Sequence, residues 1–352
     1  MADRAYKVGV VGATGAVGST LLEILAEREF PASEIVPFAS ERSAGNRVAF
    51  GGEQLEIRAL SDETIQGLEL VLSSAGGAIS SEWAPRFVEA GAVVVDNTSF
   101  WRMHEDVPLV VSEVNPDAAD GHNGLIANPN CTTMAMVVAL APIQRAVGIE
   151  RLVASTYQSV SGTGRRAIDE LLDQSHALLH DQDPEPPAVY PHQIAFNVLP
   201  QVETFKDGDD YTTEERKVMR ETRKILAASE EELRISATCA RVPVLTGHSE
   251  SLNVQTREEL SPEDCRELLA SAPGLVVVDD PAAGLYPTAR DGAGRDEVLV
   301  GRIRRDPSHD QCLNLWVVGD NLRKGAALNA IQVAELLAER DLVRVPAGAA
   351  SF

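Results

Sequence analysis

A cysteine that does covalent chemistry must be ionised, and the string Asn128-Pro129-Asn130-Cys131-Thr132-Thr133-Met134 sets Cys131 between a proline-containing loop and an apolar-periodic stretch that reads as a helix. A thiol at a helix N-terminus has its thiolate stabilised by unpaired amides and by the helix dipole, which makes it a nucleophile at neutral pH. The same amides, with the Asn130 side chain, could receive an oxyanion. A free cysteine is more often a buried structural residue; two threonines and an asparagine beside this one argue against that. A thiolate attacking an acyl phosphate or an aldehyde needs a proton-handling partner, and histidine has the suitable pKa. Of the seven histidines, His248 in RVPVLTGHSE is the best candidate, at a strand end with Arg241 and Gly247 before it. A buried Arg near a His calls for an anion or a carboxylate. His176 and His180 stand four apart, but HExxH is absent and a solvated helix face is the better reading, so no metal is expected.

A second chemical string is GATGAVG, with Gly12, Gly15 and Gly18 between the first strand-like run and the first helical one. A tight turn there lets backbone amides and a helix N-terminus meet a pyrophosphate, the binding mode of a dinucleotide. The spacing is GxxGxxG rather than GxGxxG, so Thr14 and Ala16 would approach the phosphates. After the second strand come Ser40, Glu41, Arg42 and Ser43. A guanidinium flanked by two hydroxyls suits a 2′-phosphate and favours NADP. Glu41 could point to water or could instead bind a 2′-hydroxyl.

These groups must be held by a chain of 352 residues with 44% hydrophobic content, which exceeds the usual size of one core and implies two domains. Strand-like runs at Lys7–Val11, Glu34–Ala39, Leu68–Ser73, Ala92–Asp96 and Pro108–Val111 alternate with helical patterns at Gly18–Arg28 and Ser80–Ala90. That rhythm predicts an α/β, Rossmann-like, doubly wound parallel sheet. After Cys131 the pattern gives a helix with Met134, Val137, Val138 and Ala141 on one side, a strand over Arg151–Ser159 and a helix over Gly164–His180. The later runs Arg234–Val244, Ser249–Thr256, Gly274–Val278, Glu297–Arg304 and Leu313–Gly319 have strand lengths with few helices between them, as in an α+β domain on a mixed, largely antiparallel sheet. A last helix over Lys324–Glu339 is expected to return to the first domain. The expected division is 1–130 plus 324–352 for the nucleotide domain and 131–323 for the catalytic and dimerisation domain. The Pro-rich stretch Gln182–Pro191, and Arg302, Arg304 and Arg305, read as surface structure.

The start of the chain carries no basic and apolar export signal, and no apolar run reaches the roughly 20 residues that a bilayer requires. The four cysteines are scattered without CxxC pairing, as for free thiols in a cytoplasmic protein. A net charge of −22 disfavours nucleic acid and anionic membranes as partners. Anionic ligands would then need the few basic residues clustered at their site.

Taken together, GATGAVG at Gly12, NPNCTTM at Asn128, VSGTG at Val160, RVPVLTGHSE at Arg241 and DNLRKGAALNA at Asp320 resemble the aspartate-semialdehyde dehydrogenases over nearly the whole chain. These are NADP enzymes of lysine, threonine, methionine and diaminopimelate biosynthesis. The resemblance implies an NADP-dependent phosphorylating aldehyde dehydrogenase acting on L-4-aspartyl phosphate, aspartate semialdehyde and inorganic phosphate, in a homodimer. It implies that Cys131 is the acyl-thioester nucleophile, His248 the acid/base, and Gln158 the group that positions the thioacyl intermediate. By the same resemblance Arg241 grips the substrate carboxylate, Arg102 and Lys217 receive phosphate, and Glu214 contacts the substrate ammonium. On the cofactor side it implies Thr14, Gly15, Ala16 and Val17 at the pyrophosphate, Arg42 and Ser43 at the 2′-phosphate, and Ser161, Gly162 and Asn321 at the nicotinamide end. Where many relatives read ASARSAG this chain reads ASERSAG, so Glu41 departs from the pattern and bears on the choice of NADP over NAD.

An N-acetyl-glutamyl-phosphate reductase or a glyceraldehyde-phosphate-type dehydrogenase would also use a Cys and a His on such domains. Arg241 seven residues before His248, and DNLRKGAA near the end, favour the aspartyl substrate. A catalytically silent NADP-binding sensor would have lost chemical residues, whereas Cys131, Gln158, Arg241 and His248 are all present.

Overall fold

Strands that are apolar without alternation belong to a sheet covered on both faces, and such strands build the first unit of this protein. The structure, a computed structural model, describes residues 4–348; residues 1–3 and 349–352 of the expected first domain lie outside them. In chain order the first unit contains β1 (Tyr6–Val11), α1 (Ala16–Glu27), β2 (Ala32–Phe38), the hairpin strands β3 (Arg47–Phe50) and β4 (Glu53–Glu56), β5 (Leu70–Ser73), α2 (Gly77–Glu89), β6 (Val93–Asp96) and β7 (Leu125–Ala127). Five of these strands form a parallel sheet in the order β2-β1-β5-β6-β7. Strand order reverses between β1 and β5, so the loop leaving β1 sits at the switch point where such sheets open a crevice.

The expected strand at Pro108–Val111 is a correction: it makes one isolated bridge, Leu109 to Ala127, and β7 holds the edge instead. Pro108 has no amide to extend a ladder, and the Val111 amide is taken by the Asn115 side chain at 2.8 Å. The β3–β4 hairpin went unpredicted.

The second unit runs from Cys131 to Gly325. It contains α3 (Cys131–Val147), β8 (Ile149–Gln158), α4 (Arg165–Leu179), α5 (Thr213–Ile225), β9 (Arg234–Arg241), β10 (His248–Thr256), α6 (Pro262–Ala270), β11 (Leu275–Val277), the short α7 (Ala289–Gly292), β12 (Val298–Arg305) and β13 (Cys312–Gly319). Its six-stranded sheet has the order β11-β12-β13-β10-β8-β9. Three contacts are antiparallel and the two at the edges are parallel, so the sheet is mixed. Along β10 the residues His248, Glu250, Leu252 and Val254 are buried while Ser251, Asn253 and Gln255 are half-buried, the period of two that a sheet with one covered face requires. α3 lies on that covered face, packed against β8, β10, β12 and β13. It is not the one-sided helix expected: every residue from Thr132 to Ala141 is buried, as for a helix enclosed in a core.

The second unit holds more helix between its strands than expected, since α5 follows a Thr212–Glu215 capping box and α6 begins at the Ser261 cap. The last helix also starts later than Lys324: a wide π-type turn covers Arg323–Leu328, and α8 is Asn329–Glu339. In that turn Gly325 lies where a Cβ would come within 2.8 Å of the Cys131 Cβ. From Ala326 the chain belongs to the first unit, and Ile331, Ala334 and Leu337 of α8 join its core with Val8, Leu21 and Leu72. Among the described residues no helix is long and apolar enough to cross a membrane.

Candidate active site

Register gathers the chemical residues of the second unit. Gln158 ends β8 and Arg241 ends β9, and the parallel pairing of these strands sets the two side by side. β10 runs antiparallel to β8, with Ser249 opposite Tyr157, so its first residue, His248, arrives at the same end of the sheet. The N-terminus of α3 completes the arrangement: Cys131, its first residue, is half-buried with its Sγ 3.3 Å from His248 Nε2.

The other side of the imidazole defines its proton. The Ser159 backbone N–H donates to His248 Nδ1 at 3.1 Å. Only a lone pair accepts an amide hydrogen, so the neutral ring carries its proton on Nε2, facing the sulfur. Burial, and after it the Arg241 guanidinium, hold His248 well below the usual imidazole range, against a smaller opposing effect of the Gly247 backbone. The ring is therefore neutral at pH 7 and acts as a hydrogen-bond donor to whatever occupies the place of the sulfur or the atom bound to it.

Arg241 is buried, donates from Nη1 to the Ser159 carbonyl at 2.6 Å, and has no hydrogen-bond partner at Nε. Gln158 is buried too; its Nε2 donates to Glu214 Oε1 at 2.9 Å and to Thr132 Oγ1, while its Oε1 has no partner. A guanidinium nitrogen and an amide oxygen left unpaired at one end of a sheet are the groups expected to meet a ligand's carboxylate and its N–H. Glu214 is buried on the first turn of α5, with Lys217 3.5 Å away and also paired to Glu203.

Asn321 is buried below the histidine: its Oδ1 accepts from Gly247 N at 3.0 Å and from Ser159 Oγ at 3.0 Å, and its Nδ2 donates to Ser161 Oγ at 2.9 Å. Gly162 is exposed, and a Cβ there would stand 3.4 Å from Arg241 Nη1 and 3.5 Å from His248 Nε2. The structure thus brings together Cys131, Gln158, Ser161, Gly162, Glu214, Lys217, Arg241, His248 and Asn321. Ser159 went unnoticed in sequence, although it serves both His248 and Arg241 through its backbone; only its place in QSVSG, next to Gln158, hinted at it.

The remaining candidates belong to the first unit. Arg102 is buried and donates to the Asn128 carbonyl at 2.9 Å and the Asn97 carbonyl at 2.7 Å. Asn130, also buried, directly precedes Cys131. The loop after β1 turns at Gly12 with φ +84°, and a Cβ on Gly18 would strike the Gly12 carbonyl oxygen at 2.0 Å, so α1 can start this close only on glycine. Gly15 caps α1 without a side-chain hydrogen bond. Thr14 and Gly15 are exposed, with Ala16 and Val17 half-buried. Uncapped amides at the switch point fit a pyrophosphate. After β2, Glu41–Ser43 forms one 3₁₀ turn in which Ser40, Glu41 and Arg42 are exposed and Ser43 is half-buried. Ser40 and Ser43 have their hydroxyls 3.4 Å apart beside Arg42, a donor set that fits a phosphate. His176 on α4 and His180, which caps its C-terminus, are exposed with their rings 4.3 Å apart.

Two family models match the chain, the semialdehyde dehydrogenase NAD binding domain over residues 7–122 and the semialdehyde dehydrogenase dimerisation domain over residues 140–324. The aspartate-semialdehyde dehydrogenase of Aquifex aeolicus is 50% identical over 341 residues, covering 96% of this chain and 99% of the relative. Among solved structures, aspartate semialdehyde dehydrogenase II from Vibrio cholerae matches with TM-score 0.92 and 46% identity over 96% of this chain and 99% of that one; the same protein complexed with ASA matches equally. The Candida albicans aspartate semialdehyde dehydrogenase with NADP matches with TM-score 0.74 and 28% identity, over 96% of this chain and all of that one.

Proposed function

Because the chain belongs to the aspartate-semialdehyde dehydrogenase family, we propose that it catalyses the NADPH-dependent reductive dephosphorylation of L-4-aspartyl phosphate to L-aspartate 4-semialdehyde through an acyl thioester on Cys131. The observation that carries the reading is the Cys131 sulfur at the head of α3, 3.3 Å from a neutral His248 whose Nε2–H faces it.

The residues divide the work as follows. Arg241 binds the substrate carboxylate through its unpaired edge and so aligns the carbonyl with the sulfur. Glu214 takes the ammonium group, and the Gln158 amide positions the acyl portion. The Cys131 thiolate, stabilised by the helix N-terminus and the Nε2–H, forms the carbon–sulfur bond while the carbon–oxygen bond to phosphate breaks and phosphate leaves with the electron pair. Arg102 and Lys217 are the cations we assign to that phosphate. The nicotinamide, when bound, supplies the hydride. His248 then donates its Nε2–H hydrogen bond to the oxygen bearing the new negative charge, with the Asn130 side chain and the α3 amides as further donors. Collapse of that oxyanion releases the aldehyde and returns the thiolate, so no net proton need leave the imidazole; the one proton that the overall reduction consumes goes from solvent to the departing phosphate. In the reverse direction phosphate cleaves the thioester.

For the cofactor we assign Gly12, Thr14, Gly15, Ala16 and Val17 to the pyrophosphate, Ser40, Arg42 and Ser43 to the 2′-phosphate, and Ser161, Gly162 and Asn321 to the nicotinamide end. Exposed Arg42 between two hydroxyls supports NADP over NAD; Arg42→Ala is expected to cost about tenfold in kcat/KM for NADP and little for NAD. We further propose a cytoplasmic homodimer, a reading supported by free cysteines and by the dimerisation-domain match.

The test is cofactor reduction with aspartate semialdehyde, with and without phosphate, in the parent and in Cys131→Ser. The reading expects phosphate-dependent turnover that the serine variant loses by more than about 10³-fold. Turnover without phosphate, or an active serine variant, would exclude it.

A further inference from the structure

The Pro-rich stretch 182–191 continues to Leu199, and from Ala188 onward this segment is tied down at several points. Glu170 Oε2, on α4, accepts the consecutive amides of Ala188 and Val189, both at 2.7 Å. One turn further along the same helix, buried Gln174 accepts through Oε1 from Ile194 and Ala195 at 3.0 and 3.1 Å. At the far end Leu199 and Arg241 exchange both backbone hydrogen bonds, at 2.9 and 2.8 Å. Between these anchors the segment has its own apolar cluster with α4, in which Ile194, Ala195 and Leu199 are buried and Val189 and Tyr190 pack against them.

Such anchoring fixes where Tyr190 can be. Its hydroxyl donates to Thr163 Oγ1 at 3.0 Å, and its ring centre lies 5.9 Å from the guanidinium carbon of Arg241. Arg241 needs this help. Only Nη1 has a short tie, to the Ser159 carbonyl, and Nε has no partner. A long side chain held at one nitrogen can swing; an aromatic face against the guanidinium limits the swing without consuming its donors.

We infer that the segment 188–199 is a strap belonging to the substrate site, and that Tyr190, the residue it delivers to Arg241, is a positioning residue that aims the guanidinium fork at the substrate carboxylate. The inference rests on the reading that Arg241 binds that carboxylate. Tyr190 touches neither substrate nor cofactor in this account; it acts through Arg241, with Glu170 and Gln174 as the posts that hold it there.

The experiment compares Tyr190→Phe, Tyr190→Leu and Glu170→Ala with the parent in steady-state oxidation of aspartate semialdehyde. Tyr190→Leu keeps bulk but loses the aromatic face, and KM for aspartate semialdehyde is expected to rise roughly 5- to 20-fold with kcat within about 3-fold. KM for NADP and for phosphate should stay put. Glu170→Ala, which leaves Tyr190 in the chain but loosens the strap, should give the same pattern, and Tyr190→Phe should behave as the parent. In an Arg241→Ala background the Tyr190→Leu change should have no further effect on KM. An unchanged KM in both Tyr190→Leu and Glu170→Ala overturns the inference. So does a uniform loss of kcat together with rises in every KM, which is what simple unfolding of the strap would give. A parent inactive on aspartate semialdehyde would instead sink the underlying functional reading.

Discussion

An imidazole whose Nδ1 accepts an amide hydrogen has only its Nε2 hydrogen to offer, and in this protein the neighbour on that side is the Cys131 sulfur. With the ring neutral, any negative charge on the Cys131 sulfur is met by the Nε2–H hydrogen bond rather than by an imidazolium. Burial and Arg241 hold the His248 pKa down, so the ring stays neutral as pH falls through the ordinary imidazole value of 6.5. Alkylation of Cys131 by iodoacetamide should accordingly show no step in rate near pH 6.5, and a step there would mean that the imidazole titrates normally. A second titratable group lies one row deeper. Glu250 faces the covered side of the sheet opposite Thr156, is fully buried, and has no hydrogen-bond partner on either carboxylate oxygen. Burial raises its pKa well above the ordinary 4.5, so the folded protein keeps a proton that the unfolded chain releases. Stability contributed by the neutral form is complete below the unfolded value and declines as pH rises toward the folded one, by up to about 1.4 kcal/mol per pH unit. Glu250→Gln removes that loss: in urea denaturation it should be more stable than the parent near pH 8 and lose the advantage near pH 4. An advantage of equal size at both pH values would contradict a protonated Glu250.

At the scale of elements, the site depends on three strand ends and one helix start arriving together. Cys131 and His248 could be singled out in sequence because their local strings carry the signal, a loop-to-helix junction and a glycine before a strand. What made them a pair was not legible, since the 3.3 Å contact follows from β8–β10 register and from where α3 crosses the sheet. The same holds for Ser159 and Tyr190, whose roles come from backbone and ring positions set by distant partners. Other omissions were local and could have been read: Thr212 with Glu215 is a capping box, and Ser261 before Pro262 is a helix start, so α5 and α6 had signals. Val110 misled because an apolar run after Pro108 looks like a strand until its amides are counted. The glycine turn was legible as a strand-to-helix junction, and Gly18 is demanded there by a backbone oxygen 2.0 Å from where a Cβ would be. Gly18→Ala should therefore raise the dissociation constant for NADP by more than about tenfold in fluorescence titration, through displacement of the α1 start; unchanged affinity would show that the loop does not hold the cofactor.

Across the whole molecule, a net charge of −22 surrounds a proposed chemistry in which phosphate, the acyl phosphate and the cofactor are anionic. Repulsion of this kind acts at a distance and is screened within about 8 Å at physiological salt. KM for phosphate is thus expected to fall as ionic strength rises from about 0.01 M to about 0.15 M. A rise over that range would mean that local cations such as Arg102 and Lys217 outweigh the surface. In the proposed cycle the thioester forms before phosphate cleaves it, so withholding phosphate separates the two steps. The most direct test is mass spectrometry of the protein mixed with aspartate semialdehyde and NADP in phosphate-free buffer. An aspartyl acyl group should appear on the peptide containing Cys131, with one reduced cofactor per chain, and the adduct should disappear on adding phosphate. Cofactor reduction with no adduct on Cys131, or an adduct that phosphate leaves in place, would contradict the thioester mechanism.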